Sequence, residues 1–283
     1  TLSSSSAASD VYKRQVFKII DIAQYLESRA GNDGTYFCNG YIMVGDKEFK
    51  CSAYESGGHG RINMEEAFAV SCNPYFINLG LKLGSRNLVD MARKFGLGSI
   101  TGIKEQGIDE ASGNLPNINR DLLDGDTANI SIGQGNIMVT PLQVADMVAA
   151  VANGGIKNRI NIVDCIVDGE GNKVRNMRRK EATRVISLQT SERLREMMGK
   201  VTDSGTGTKA NLDEYGGSAG KTGSAEAVIN GRKAVHAWFA GFFPQRTPRY
   251  AIAVFIEDGK SGGQAAAPIF AEIAREMARK GYR

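Results

Sequence analysis

The stretch Ser218-Ala219-Gly220-Lys221-Thr222-Gly223-Ser224-Ala225-Glu226-Ala227-Val228-Ile229, followed by Asn230-Gly231, decides the fold. It reads as an extended segment running into Asn-Gly, whose tolerance of positive φ suits a two-residue hairpin turn. Val235 to Phe243 and Tyr250 to Glu257 supply two more strands, and Pro268 opens a helix to Lys280. Three meandering antiparallel strands need a cover, and the first and last helices are expected to provide it. The fold class is therefore α+β: an antiparallel sheet flanked by N- and C-terminal helices, with a helical subdomain inserted before the sheet.

Upstream, Val16 to Ala30 has the spacing of an amphipathic helix, and Tyr36 to Cys51 that of a hairpin turning at Val44-Gly45-Asp46. Asn63 opens a second helix, with Glu65 and Glu66 near the positive end of its dipole. That helix should stop near Ser71, because Pro74 disfavours the α conformation at Asn73. Asn73 reads as the N-cap of the next helix, so Ser71-Cys72-Asn73 sits at a break. Arg86 to Phe95 reads as a third helix and residues 99–139 as mostly irregular. Thr140-Pro141-Leu142-Gln143 is a capping box opening a helix to Asn153. Ile160 to Val174 suggests a hairpin, and Ser191 to Thr202 a helix capped by Thr190.

A chain of 283 residues with 42 % hydrophobic and 23 % charged residues can bury a core without staples, which excludes disordered and fibrous classes. The net charge of +4 is dispersed. Its densest basic run, Arg175 to Arg184, has no aromatic neighbours and reads as a solvated face, so no nucleic-acid partner is expected. Phosphate-binding glycine motifs are missing, as is any apolar run of membrane-spanning length. Four cysteines and two histidines include no C-x-x-C, so no metal and no other cofactor is expected. Thr1 to Gln15 looks foreign to the rest of the chain, since apolar patterning starts abruptly at Val16.

Chemistry concentrates in two places. Lys221-Thr222-Gly223-Ser224 lies on the first strand of the meander, and Ser71-Cys72-Asn73 at the helix break. An ammonium, hydroxyls and an amide are what a site needs to surround a carbonyl and a carboxylate. S-x-N and K-T-G belong to a serine acyl-transferase set that also contains S-x-x-K.

On these motifs the chain resembles the transpeptidase domain of class B penicillin-binding proteins, a penicillin-binding/serine β-lactamase-like fold. Further matching stretches are Thr101-Gly102-Ile103, Ser131-Ile132-Gly133-Gln134-Gly135, Thr140-Pro141-Leu142-Gln143, Ala152-Asn153-Gly154-Gly155, Ala237-Trp238-Phe239-Ala240-Gly241-Phe242 and Ala266-Ala267-Pro268-Ile269-Phe270. They run nearly the whole chain, and the likeness is greatest to the family's sporulation and division members. On this reading residues 1–15 are an artefactual segment, and residues 16–283 are a transpeptidase domain incomplete at its N-terminus.

The resemblance implies a serine acyl-enzyme that cross-links peptidoglycan stem peptides and is trapped by β-lactams. Lys18 would be the general base, Ser71 a proton relay, Asn73 an orienting amide and Lys221 a positive charge beside the nucleophile. Thr222, Gly223 and Ser224 would bind the substrate carboxylate, and the N–H groups of residues 15 and 224 would form the oxyanion hole. One position departs from the family: Arg14-Gln15-Val16-Phe17-Lys18 aligns with Pro-Gly-Ser-x-x-Lys, so Gln15 holds the nucleophile's place. An amide cannot be acylated there, and this chain is expected to be inactive. Ser131 to Gly135 is expected near the site as support, and Trp238 in the core.

The resemblance also implies a place on the extracytoplasmic face of a bacterial membrane, an N-terminal anchoring helix absent from this chain, and a membrane glycosyltransferase as partner. Alternatives are a D,D-carboxypeptidase or β-lactamase, although Glu110-Ala111-Ser112-Gly113-Asn114 has glycine where the Glu-x-x-Leu-Asn loop of such a β-lactamase has leucine, and a non-catalytic β-lactam sensor or division scaffold. In that oxidising compartment, Cys51 and Cys72 are candidates for a disulfide that would misplace Ser71 and Asn73. The alternatives are a Cys38–Cys51 pair across the hairpin, or reduced thiols.

Overall fold

The computed structural model describes residues 11–12, 16–28, 34–118, 122–177, 181–229 and 231–281. Val11–Tyr12 (β1) lie inside the segment read as foreign, yet they pair antiparallel with Met138–Val139. Lys18–Glu27 (α1) comes next, shorter at both ends than the periodicity suggests, with Ile19, Ile20, Ile22 and Ala23 buried.

Tyr36–Cys38 (β2) does not join the expected hairpin. Tyr41–Val44 (β3) and Lys47–Lys50 (β4) form that hairpin alone, turning at Gly45 with φ +56°. Strand β2 pairs instead with Gly60–Ile62 (β5), in a register that sets Cys38 opposite Gly60. Such a pairing between distant short segments has no local turn signal to betray it.

Met64–Ala69 (α2) opens on the capping box of Asn63 and Glu66. It closes with the Cys72 N–H donating to the Ala67 carbonyl and the Ser71 N–H to the Phe68 carbonyl. This is a Schellman ending, and Ser71 takes the left-handed position that glycine usually fills, at φ +58°. Asn73–Leu83 (α3) starts at once, but its cap is Cys72 and Asn73 is already helical. The expected Asn73 cap fails because its side chain is bonded elsewhere.

Ser85–Lys94 (α4) matches the third expected helix and ends before Gly96, at φ +87°. Asp124–Ser131 (α5) was hidden in the stretch read as irregular, since it presents no amphipathic face to the sequence. Packing makes it: Gly80 of α3 lies so close that an added Cβ would sit 1.7 Å from the Ser131 Oγ. Met138–Val139 (β6) leads to Pro141–Ala152 (α6), which carries the Thr140–Gln143 capping box.

Ile156–Asn158 (β7) pairs with Ala182–Arg184, and Cys165–Val167 (β8) with Lys173–Asn176 (β9). In the basic run, residues 178–180 lie outside the described residues. After Ala182–Arg184 (β10) comes Leu188–Asp203 (α7), starting three residues earlier than expected. Its cap is Ser187, whose Oγ accepts from the Thr190 N–H, while Glu27 of α1 accepts from the Ser187 N–H and hydroxyl.

The sheet is Ala219–Ile229 (β11), Arg232–Phe243 (β12) and Tyr250–Ile256 (β13), in the expected order. Residue 230 of the hairpin turn lies outside the described residues. Alternation along β12 buries both faces. Phe239 and Phe243 meet Phe270 of Ala267–Arg279 (α8) at ring-centroid distances of 4.7 and 6.4 Å. Trp238, Ala240 and Phe242 face the main core, as expected of Trp238. There the cover is α6 and α7, while α1 packs on α3, α4 and α7. The sheet is thus flanked by the C-terminal helix on one side, and the N-terminal helix stands one layer removed on the other.

Candidate active site

Ser71, forced outward by its left-handed backbone, is where the two predicted clusters meet. The Lys18 Nζ, in the first turn of α1, donates to the Ser71 Oγ at 3.1 Å, the Ser71 carbonyl at 2.8 Å and the Asn73 Oδ1 at 2.9 Å. From β11 the Lys221 Nζ reaches the same Oγ at 2.9 Å. One hydroxyl therefore bridges two amines contributed by segments 203 positions apart. Both lysines are fully buried, against the rings of Phe76 and Phe68. Burial, and then the charge of Lys18, push the Lys221 pKa well below the usual ammonium range. A hydroxyl between two buried amines is a short path for a proton.

Asn73 completes the floor, its Nδ2 donating to the Lys50 carbonyl at 3.1 Å. With Oδ1 on Lys18, the amide is spent on the site, which is why it does not cap α3. Thr222 shares a 2.6 Å hydrogen bond with Thr206, and the Ser224 Oγ accepts from the Gly262 N–H at 3.2 Å. Gly262 must be glycine there: a Cβ would come within 2.5 Å of the Gly223 carbonyl. Thr206 was missed by sequence reasoning. The available signal was the run Ser204-Gly205-Thr206-Gly207-Thr208 just before the strand.

An open cleft of about 480 Å³ borders this cluster. Asn73 and Ser224 line it with Ile132 and Gln134, so the Ser131–Gly135 run is at the site as expected. Gln15 lies outside the described residues. Glu110 is fixed away from chemistry, accepting from the N–H and hydroxyl of Thr101 and from the N–H groups of Gly102 and Lys104. Burial resists its ionisation, but those Thr101 and backbone donors hold its pKa below the usual range.

Two features lie beyond the sequence reading. Cys38, Cys51 and Cys72 are all free thiols, and they converge with His59 behind the Ser71–Asn73 turn. Spacing could not show this, because four separate segments supply the four side chains. Asp21, one turn after Lys18, is fully buried, and neither carboxylate oxygen has a hydrogen-bond partner among the described residues. Burial raises its pKa well above the usual carboxylate range, opposed by the Lys18 charge.

The lysine–serine–lysine bridge thus stands at the edge of a sheet that is covered on both faces. The chain belongs to the penicillin-binding protein transpeptidase domain family, whose match spans residues 8–275. It is 33 % identical over 270 residues to stage V sporulation protein D of Bacillus subtilis, covering 92 % of this chain and 41 % of that protein. It is 32 % identical over 250 residues to the peptidoglycan D,D-transpeptidase MrdA of Acinetobacter baumannii, covering 80 % and 36 %. The chain thus spans about two fifths of the length of these relatives. Among solved structures, penicillin-binding protein 3 of Mycobacterium tuberculosis with aztreonam superposes at TM-score 0.85 and 28 % identity, over 99 % of this chain and 65 % of that one. The ceftriaxone acyl-enzyme of penicillin-binding protein A, from the same organism, superposes at TM-score 0.83 and 27 % identity, covering 94 % and 60 %.

Proposed function

We propose that this domain carries the machinery of a peptidoglycan D,D-transpeptidase, with position 15 as the nucleophile's place. The observation that carries the reading is the Ser71 hydroxyl bridging Lys18 and Lys221. With serine at 15, its Oγ attacks the penultimate carbonyl of a D-alanyl-D-alanine stem peptide. Lys18, one helical turn on, takes the proton. Ser71 relays a proton to the leaving D-alanine amine, and the ester is then opened by the amine of a second stem peptide. Asn73 holds Lys18, and Lys221 places positive charge beside the substrate carboxylate. Thr222 and Ser224 hydroxyls bind that carboxylate, with Gly223 between them on the strand. Backbone N–H groups of residues 15 and 224 stabilise the oxyanion.

The same serine would be acylated by β-lactams. In the chain as it stands Gln15 blocks this step, and residues 16–283 form the working domain. The domain acts at the extracytoplasmic face of a bacterial membrane, tethered through an N-terminal helix and working beside a glycosyltransferase. Among the described residues no helix is long and apolar enough to cross a membrane. A β-lactamase or carboxypeptidase reading needs a base for water, and Glu110 is already committed to its four donors.

A fluorescent penicillin tests the reading. The parent chain should show no covalent label, and Gln15→Ser, with Pro-Gly at positions 13 and 14, should acquire one. Labelling of the parent, or none in the folded restored variant, would overturn it; the second result is what a non-catalytic scaffold gives.

A further inference from the structure

We propose that Glu226 is a specificity residue of the cleft, which selects a cationic side chain on the donor residue preceding D-alanyl-D-alanine. The inference rests on the transpeptidase reading and adds to it the charge of the peptide that the site prefers.

The placement follows from the sheet. Strand β11 is an edge in the order β11-β12-β13, with no strand on its other side among the described residues. Its register with β12 closes on Ile229 opposite Arg232, across a two-residue turn, where the flanking residues exchange both backbone hydrogen bonds. Counting back in twos, Ala227, Ala225 and Gly223 turn their N–H and C=O groups toward β12, whereas Glu226 and Ser224 turn theirs toward the open edge. An extended peptide can add to such an edge as a further strand. A terminal carboxylate at Thr222 and Ser224, with the preceding carbonyl on the Ser224 N–H, fixes its direction. It runs antiparallel to β11, with its upstream end toward Glu226. Each residue advances about 3.4 Å. The residue before D-alanyl-D-alanine therefore lies abreast of the Ala225–Glu226 step.

The side chains agree with this course. Ser224 and Glu226, two apart on one face of β11, line the same cleft. Across it, β4 contributes Lys47, Glu48 and Lys50. The two ammonium groups there are turned onto their own wall. Lys47 lies over the Phe49 ring at 4.6 Å, and Lys50 over the Tyr54 ring at 4.0 Å, with the Glu48 carboxylate 3.8 Å away. Glu226 is exposed at the cleft, one step along the strand face from the hydroxyl of Ser224.

The reaction itself supplies the ligand. The acyl-enzyme is opened by an amine of a second stem peptide, so the stem peptides carry an amine-bearing residue. A donor whose own amine is still free presents it as an ammonium, since a lysine-type amine titrates near ~10.4. An amine already acylated in a cross-link has lost that charge and gains nothing at a carboxylate. Glu226 thus distinguishes donors with a free side-chain amine from donors already linked. The contact is an ion pair, and no proton moves. Exposed ion pairs are weak, so the effect is a preference of about two- to five-fold.

The test compares two donors that differ by one charge, Nα-acetyl-L-lysyl-D-alanyl-D-alanine and its Nε-acetylated form. It uses the Gln15→Ser protein with Pro-Gly at positions 13 and 14. With enzyme in excess, release of D-alanine reports acylation alone. It should be about two- to five-fold faster for the cationic peptide at low ionic strength, and the preference should fade with added salt. Glu226→Gln should abolish the preference and Glu226→Lys should invert it, while Glu272→Gln, on α8, should keep it. A restored protein that labels with penicillin yet treats both peptides alike, or keeps its preference in Glu226→Gln, overturns the proposal and leaves the transpeptidase reading standing. A folded restored protein that neither labels nor releases D-alanine overturns both. Should the Glu226 variants fail to fold, nuclear magnetic resonance of the parent chain decides. The cationic peptide should shift the Glu226 backbone amide at lower concentration than the neutral one, and an equal response overturns the proposal.

Discussion

The two walls of the cleft are built on opposite plans. On one side, β11 belongs to a three-stranded sheet that is buried on both faces and held by α6, α7 and α8. Its register alone delivers Lys221, Thr222 and Ser224. On the other side, strands β2 to β5 have three or four residues each and form only two-stranded pairs. Glycines 40, 45, 57, 58 and 60 all take positive φ along that segment. Small two-stranded pairs are marginal by themselves. The sheet wall supports itself through its core; the thiol wall depends on a few close approaches. The Ser71–Asn73 turn hangs between the two.

Removing the amines probes where the walls meet. In the Gln15→Ser background, Lys18→Ala should abolish penicillin acylation and Lys221→Ala should slow it, with about 10²–10⁴ in rate at stake for a general base. Stopped-flow acylation measures both. A Lys18→Ala variant that labels at the parent rate breaks the assignment of Lys18 as base.

Stability should separate the walls more finely. Phe270→Ala, which removes the ring between Phe239 and Phe243, should cost about 3–5 kcal/mol in global unfolding by denaturant. Gly58→Ala should cost less, about 1–3 kcal/mol, because it strains one corner. Its signature should be local: hydrogen exchange should rise in residues 36–62 while β11 to β13 stay protected. Equal loss of protection in both regions would show that the walls unfold as one unit and would end the contrast.

The smallest effect concerns Asp21. Its folded pKa lies above the ordinary value of 3.8, so above that pH the unfolded chain is the more ionised state. Stability is lost as pH rises from 3.8 toward the folded pKa, and Asp21 opposes folding at neutral pH. Asp21→Asn should therefore raise the melting temperature at pH 7, by an amount worth about 1–2 kcal/mol. The gain should shrink on acidification. A variant less stable than the parent at pH 7 would show that Lys18 outweighs the burial of the carboxylate.

Much of this molecule is legible in its residues. The Asn230-Gly231 signal and the apolar runs Val235 to Phe243 and Tyr250 to Glu257 mark the sheet, because a covered meander needs little beyond its own pattern. The capping boxes at Asn63 and Thr140 define two helix starts, because hydrogen bonds three residues apart are local. The motifs likewise mark Lys18, Ser71, Asn73 and Lys221 along the chain.

Tertiary packing decided the rest, and in each case the partner is far along the chain. Helix α5 exists because Gly80 admits Ser131, and β2 leaves its neighbours for β5. Ser71 stands in a left-handed conformation that its own residue type does not favour, held by the Schellman bonds of α2. Asn73 gives up a cap for Lys18. The thiols and His59, scattered over residues 38–72 with no metal-binding spacing, meet because β-pairing, one glycine corner and a helix start converge. Local physics reads along the chain, while burial and charge act across space, and the bridge between Lys18, Ser71 and Lys221 exists only where the two coincide.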